Sequence, residues 1–142
     1  MVLIGRMGLA AIRRAGWPPR AVGGLTMGAD PVAYAIAAAS HGTELEIDAF
    51  SVRKEAKAHG TGQQIEGNFR AGDAVVVVED VITSGASALR AIGAVEGAGG
   101  TVLGVLAVVD REEGGRGGLA QQGIEVVVMT TATQLGLEPK GN

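Results

Sequence analysis

Two adjacent carboxylates, Glu79 and Asp80, stand at the end of a four-valine run. Thr83, Ser84, Gly85 and Ser87 follow closely in VVVVEDVITSGAS, Val75 to Ser87. Ionised carboxylates accept hydrogen bonds, so vicinal sugar hydroxyls or metal-bound waters are natural partners. A small hydroxyl and glycine loop that opens a helix offers free backbone N–H groups and the positive end of the helix dipole, which suit a phosphate. One ligand carrying a diol and a phosphate a few ångströms apart would use both features in this order. A solvated strand end followed by a helix cap accounts for the same residues, and composition alone does not separate the two readings. The P-loop pattern G-x-x-x-x-G-K-[ST] is absent. Gly115, Gly117 and Ala120 match G-x-G-x-x-A, but polar residues separate them from the preceding strand, which argues against a dinucleotide fingerprint.

A second group of chemically capable residues is Arg53, Lys54, Lys57 and His59 in RKEAKAHG. With glycines following, this stretch is expected to be an exposed, mobile loop. Seen alone, such a run is more often a solvated charged loop than a catalytic one, and a lone histidine is more often a surface residue.

The elements that must position these groups follow from periodicity. Leu3, Ile4, Met7, Ala11 and Ile12 recur at helical spacing over residues 3 to 15. Asp30 is expected as an N-cap with Pro31 at the first helical position, and the helix to Ser40 is expected to close at Gly42. ELEIDAFSVR alternates as a strand with one polar face or an edge. AGDAVVVVED reads as a turn and then a central parallel strand covered on both faces. Leu89, Ile92 and Val95 mark a helix ending near Gly97 to Gly100, and TVLGVLAVVD and GIEVVVMT are further buried strands. The fold class is α/β, an open and mostly parallel sheet with flanking helices. Ligands bind beyond the carboxyl ends of such strands, where Glu79 and Asp80 stand. Neighbouring strand residues point oppositely, so both acids can serve one ligand only if the backbone turns there.

The 142 residues are expected to form one domain. Hydrophobic residues at 46% and charged residues at 19% exclude charge-driven disorder. A net charge of −3 with no basic run gives no nucleic-acid footprint. The absence of cysteine removes disulfides and thiolate metal sites and agrees with a reducing cytoplasm. Arg6, Arg13 and Arg14 interrupt the apolar start, so neither a signal peptide nor a membrane span is expected.

VVVVEDVITSGAS resembles the phosphoribosyl pyrophosphate (PRPP) motif of type I phosphoribosyltransferases. FSVRKEAKAHGTGQQIEG, Phe50 to Gly67, is similar to the flexible catalytic loop of orotate phosphoribosyltransferases. VVDREEGG, Val108 to Gly115, resembles that family's strand end with its Asp-Arg pair, and GGLTMGADP, Gly23 to Pro31, its pyrophosphate-side loop. The resemblance implies transfer of phosphoribosyl from PRPP to orotate, giving orotidine 5′-monophosphate and pyrophosphate, with Mg²⁺ bound through substrate and not by a dedicated protein cage. It implies that Glu79 and Asp80 hold the ribose hydroxyls and that Val81, Ile82, Thr83, Ser84, Gly85, Ala86 and Ser87 wrap the 5′-phosphate. Thr83 and Arg111 would contact orotate, while Arg53, Lys54, Lys57 and His59 would meet the pyrophosphate. Lys57 and Asp80 are the implied catalytic residues. Cations brought late over a leaving polyanion stabilise the transition state more than the ground state. The family also implies a cytoplasmic homodimer in which this loop reaches the neighbouring subunit's site.

The chain departs from the family at its start, where the aromatic segment that hoods orotate is missing. MVLIGRMGL reads like the middle of a helix without a cap, and truncation is the favoured expectation, with a sticky face left behind. A PRPP-binding regulatory protein and a phosphoribosyltransferase for another base are the competing readings; the Arg53, Lys54, Lys57 and His59 cluster counts against the first.

Overall fold

The computed structural model describes residues 1–56 and 63–138. In chain order it contains α1 (Val2–Ala15), β1 (Ala21–Leu25), α2 (Asp30–Ser40), β2 (Asp48–Val52), β3 (Ile65–Gly67), β4 (Ala74–Ile82), α3 (Ala86–Gly97), β5 (Thr101–Asp110), α4 (Gly115–Gln121) and β6 (Val126–Thr131). The strands form one sheet in the order β3-β2-β1-β4-β5-β6, parallel except for β3 against β2.

The valine run explains the centre of this sheet. Val75 to Val78 are all fully buried, because β4 lies between β1 and β5 with helices over both faces. Val75 and Val77 pack with Ala88, Ala91, Ile92 and Val95 of α3, whereas Val76 and Val78 pack with Leu9 and Ile12 of α1 and Val32 and Ile36 of α2. Each such side chain contributes about 1.5 kcal/mol or more when fully removed from water. The sheet therefore has α1 and α2 on one face and α3 and α4 on the other.

Several local expectations are corrected. β2 is interior, because the three-residue β3 covers its outer flank, and Phe50 and Val52 are buried. Ala29 is the N-cap of α2 and Asp30 is its first helical residue; the Asp30 carboxylate is engaged elsewhere, as described below. His41, in an extended conformation, caps the other end, ahead of Gly42. The polar stretch after β5 contains α4, whose seven residues are too few for a periodic signal. Among the described residues no helix is long and apolar enough to cross a membrane.

Candidate active site

Strand order makes the site. From β1 the chain passes through α2 to β2 on one side, and from β4 through α3 to β5 on the other, so the direction of winding reverses between β1 and β4. Crevices at such switch points, outside the carboxyl ends, are where open α/β sheets bind ligands. Pairing of β1 with β4 ends at Gly23 with Val77, while β4 stays paired to β5 as far as Ile82 with Asp110. The tip of β4 is thus held from one side and open on the other.

The loop leaving β1 occupies that open side. Its Thr26–Met27 peptide is cis. Thr26 Oγ1 donates to Asp30 Oδ2 at 2.7 Å, and Ser51 Oγ of β2 donates to Asp30 Oδ1 at 2.9 Å. One carboxylate therefore ties this loop to the neighbouring strand, a role the reading of Asp30 as a cap did not contain.

Glu79 and Asp80 remain within the extended strand, so the backbone does not turn to present both acids on one face. Glu79 follows Val75 and Val77 toward the α3 face and is 5% exposed, whereas Asp80 is exposed on the face of α1 and α2. Asp80 Oδ1 accepts the Val81 N–H at 2.8 Å, and the carboxylate rests against Gly28, where a β-carbon would press on it at 2.9 Å. Glu79 Oε1 is buried without a hydrogen-bond partner. Burial, helped by the neighbouring Asp80 charge, pushes the Glu79 carboxyl up to about 7.

Glu79, Val81 and the run from Ile82 to Ala88 line one concavity at the start of α3. Gly85, the N-cap, has φ 87°, a left-handed conformation that glycine adopts without a β-carbon penalty. Gly85, as N-cap, has no side chain with which to cap this helix end, and the first-turn N–H groups of a helix lack intrahelical partners. Ser84 Oγ accepts one of them, from Ala86, at 3.3 Å. The loop is braced from behind by α4: Gly115 N–H donates to Thr83 O at 3.0 Å, and a β-carbon on Gly115 would lie 2.8 Å from Gly85 N. The result is a fixed cradle of N–H and hydroxyl donors beside the Glu79 carboxylate.

Arg111 is brought to the same end of the sheet, its N–H donating to Ile82 O at 3.0 Å next to the exposed Thr83. Arg53 and Lys54 lie where β2 runs out. Arg53 and Gln64 exchange two bonds, Arg53 N to Gln64 O at 2.8 Å and Gln64 Nε2 to Arg53 O at 2.9 Å. Arg53 Nη2 also pairs with Glu66 Oε1 at 2.6 Å, which makes it part of the stem of the cationic loop. Arg90 of α3 donates to Lys54 O at 2.6 Å. Lys57 and His59 lie outside the described residues. Among the described residues no group of three or more acidic, histidine or cysteine side chains converges to hold a metal ion.

No protein-family model matches the chain. The orotate phosphoribosyltransferase of Rhodopirellula baltica is 48% identical over 131 residues, 92% of this chain and 68% of that protein. That of Aquifex aeolicus is 50% identical over 117 residues, 82% of this chain and 64% of that protein. The crystal structure of Mycobacterium tuberculosis orotate phosphoribosyltransferase in complex with PRPP superposes with a TM-score of 0.81 at 44% identity, covering 95% of this chain and 75% of that one. The chain thus spans 64% to 75% of the length of these three proteins.

Proposed function

This chain belongs to the orotate phosphoribosyltransferase family, and from that premise we propose that it transfers the 5-phosphoribosyl group of PRPP to orotate, releasing pyrophosphate. The observation that carries the reading is the donor cradle of Thr83 to Ser87 beside the Glu79 carboxylate at the switch-point crevice, with Asp80 exposed at the same strand tip on the other face. A phosphate seated at the start of α3 puts its sugar at the tip of β4. There Asp80 and Glu79 accept from ribose hydroxyls, Asp80 from the loop side and Glu79 from the cradle side.

The residues present also fit Mg²⁺. Glu79 Oε1 is a buried oxygen in want of a partner, and such a hard donor suits a cation that keeps its waters and substrate oxygens. Glu79 and Asp80 would hold Mg²⁺ together with the substrate, and the ion would supply positive charge to the leaving group.

In the transfer the bond from the anomeric carbon to pyrophosphate breaks and a bond to an orotate ring nitrogen forms, that nitrogen's proton leaving with the pyrophosphate. Positive charge develops at the anomeric carbon, so the work of the protein is positioning and charge stabilisation. Thr83 and Arg111 orient the base, Arg111 offering a fixed fork of donors to its carboxylate. Arg53, Lys54, Lys57 and His59 gather at the pyrophosphate, with Lys57 the main catalytic cation. The loop that bears them is shared between the subunits of a cytoplasmic homodimer.

The test is orotate consumption by the 142-residue chain with PRPP and Mg²⁺, beside Lys57→Ala. Turnover that collapses in the variant supports the transferase reading. Saturable PRPP binding without turnover, weakened by Asp80→Asn, would replace it with a PRPP-binding module.

A further inference from the structure

We propose that Glu112 is a positioning residue for base recognition, holding Arg111 in aim by clasping the turn that follows β6. The inference rests on the reading that Arg111 contacts orotate.

Three strand ends meet around Arg111. Its own N–H donates to Ile82 O of β4 at 3.0 Å. On its N-terminal side, Asp110 is buried, and its backbone carbonyl accepts the Ala132 N–H at 2.8 Å. On its C-terminal side, the Glu112 N–H donates to Asp110 Oδ1 at 2.8 Å, which closes a tight turn with Arg111 at its apex. Glu112 leaves that turn with φ 62°, among the described residues the only non-glycine residue with positive φ. A glutamate held there is uncommon, and such outliers persist where the surroundings over-determine them.

What holds Glu112 is its own carboxylate. Oε1 accepts the Thr133 N–H at 2.7 Å and Oε2 accepts the Thr133 hydroxyl at 2.9 Å, across 21 residues of sequence. These bonds, that from the Thr133 backbone first, keep the carboxyl below the ordinary glutamate range, so the clasp is ionised at neutral pH. Both neighbours of Arg111 are thus pinned. The Arg111 guanidinium itself forms no ion pair among the described residues and remains available to a ligand. A fixed backbone under a free guanidinium suits recognition of a planar base that carries a carboxylate.

The experiment measures initial rates with orotate and PRPP varied separately, for the unsubstituted chain, Glu112→Ala, Glu112→Gln and Arg111→Ala. Glu112→Ala is expected to raise the KM for orotate about tenfold while the KM for PRPP stays within about twofold, because only the base-side arginine loses its aim. Glu112→Gln keeps an acceptor for the Thr133 N–H and is expected to stay within about threefold of the unsubstituted chain. A Glu112→Ala variant that moves both KM values equally, or neither, overturns the inference; a merely structural clasp would lower the melting temperature without splitting them. If Arg111→Ala leaves the KM for orotate unchanged, the base-contact reading falls and this inference with it. If Arg111→Ala raises it and Glu112→Ala does not, the inference alone fails. A chain without turnover overturns the transferase reading and the inference together.

Discussion

The Asp80 carboxylate lies directly over Gly28: a β-carbon at residue 28 would stand 2.9 Å from Oδ1 and 3.0 Å from Oδ2. The loop after β1 and the tip of β4 therefore meet through one carboxylate and one missing side chain. Asp80 has its place because the loop after β1 makes room for it.

Gly28→Ala tests that relationship. Gly28 is not among the glycines with positive φ, so alanine brings no backbone penalty and its effect is steric. Asp80 is exposed and can give way, so the loss of stability is expected to stay near about 1 kcal/mol, the low end for overpacking. Displacing the carboxylate is expected to weaken PRPP binding about tenfold, since one charge-assisted contact is worth roughly 1.5 kcal/mol or more. Calorimetric titration and thermal melts check the two parts, and unchanged affinity would show that Asp80 works from more than one position.

Gly115→Ala, compared with Gly117→Ala, separates the brace behind the cradle from helix propensity. A β-carbon at residue 115 meets Thr83 O and Gly85 N, whereas at residue 117 nothing lies within 4 Å. The first variant is expected to lose about 1–3 kcal/mol by overpacking and to weaken inorganic phosphate binding at the cradle. The second is expected to be neutral or to gain up to about 1 kcal/mol. Equal behaviour of the two in urea unfolding would remove α4 from the account of the cradle.

What could be read from the sequence is local. Val75 to Val78 announced a strand covered on both faces because a β-branched run has few other homes, and the acids and small residues after it marked one end of that strand. Local logic misread Asp30: Asp before Pro resembles a cap, yet its carboxylate serves Thr26 and Ser51, and Ala29 takes the cap position. β3, at three residues, is too short to carry a period. The contacts of Glu112 with Thr133 and of Arg90 with Lys54 span 21 and 36 residues, and the fit of Gly28 to Asp80 joins the loop after β1 to the tip of β4. No neighbouring pattern encodes such pairs; they exist only once the sheet has brought the strand ends together.

The carboxyl of Glu79 makes stability depend on pH with a sign opposite to that of ordinary paired acids. Its folded value of about 7 lies above the unfolded 4.5, so the folded state binds more protons between those values and stability falls as pH rises through that window. The penalty is absent below the unfolded value and complete above the folded one, reaching at most about 3 kcal/mol. Glu79→Gln is expected to flatten the profile and to gain most at pH 8, measured by urea unfolding at pH 5 and pH 8. A variant with an unaltered slope would assign the pH dependence to other groups.

Arg90 offers the last test, because it joins the cradle helix to the stem of the cationic loop. Its Nη2 donates to Lys54 O at 2.6 Å from α3, the helix whose first turn would hold the phosphate. The donor is exposed, so Arg90→Ala is expected to cost no more than about 1 kcal/mol of stability. Freed from that bond, the stem is expected to bring its cations to the leaving group less often, lowering kcat about three- to tenfold with little change in the KM for orotate. Arg90→Lys keeps the charge and loses the fork, so it is expected to recover only part of the rate. Full recovery by lysine would mean that charge near the loop, and not the directed bond to Lys54, is what α3 supplies.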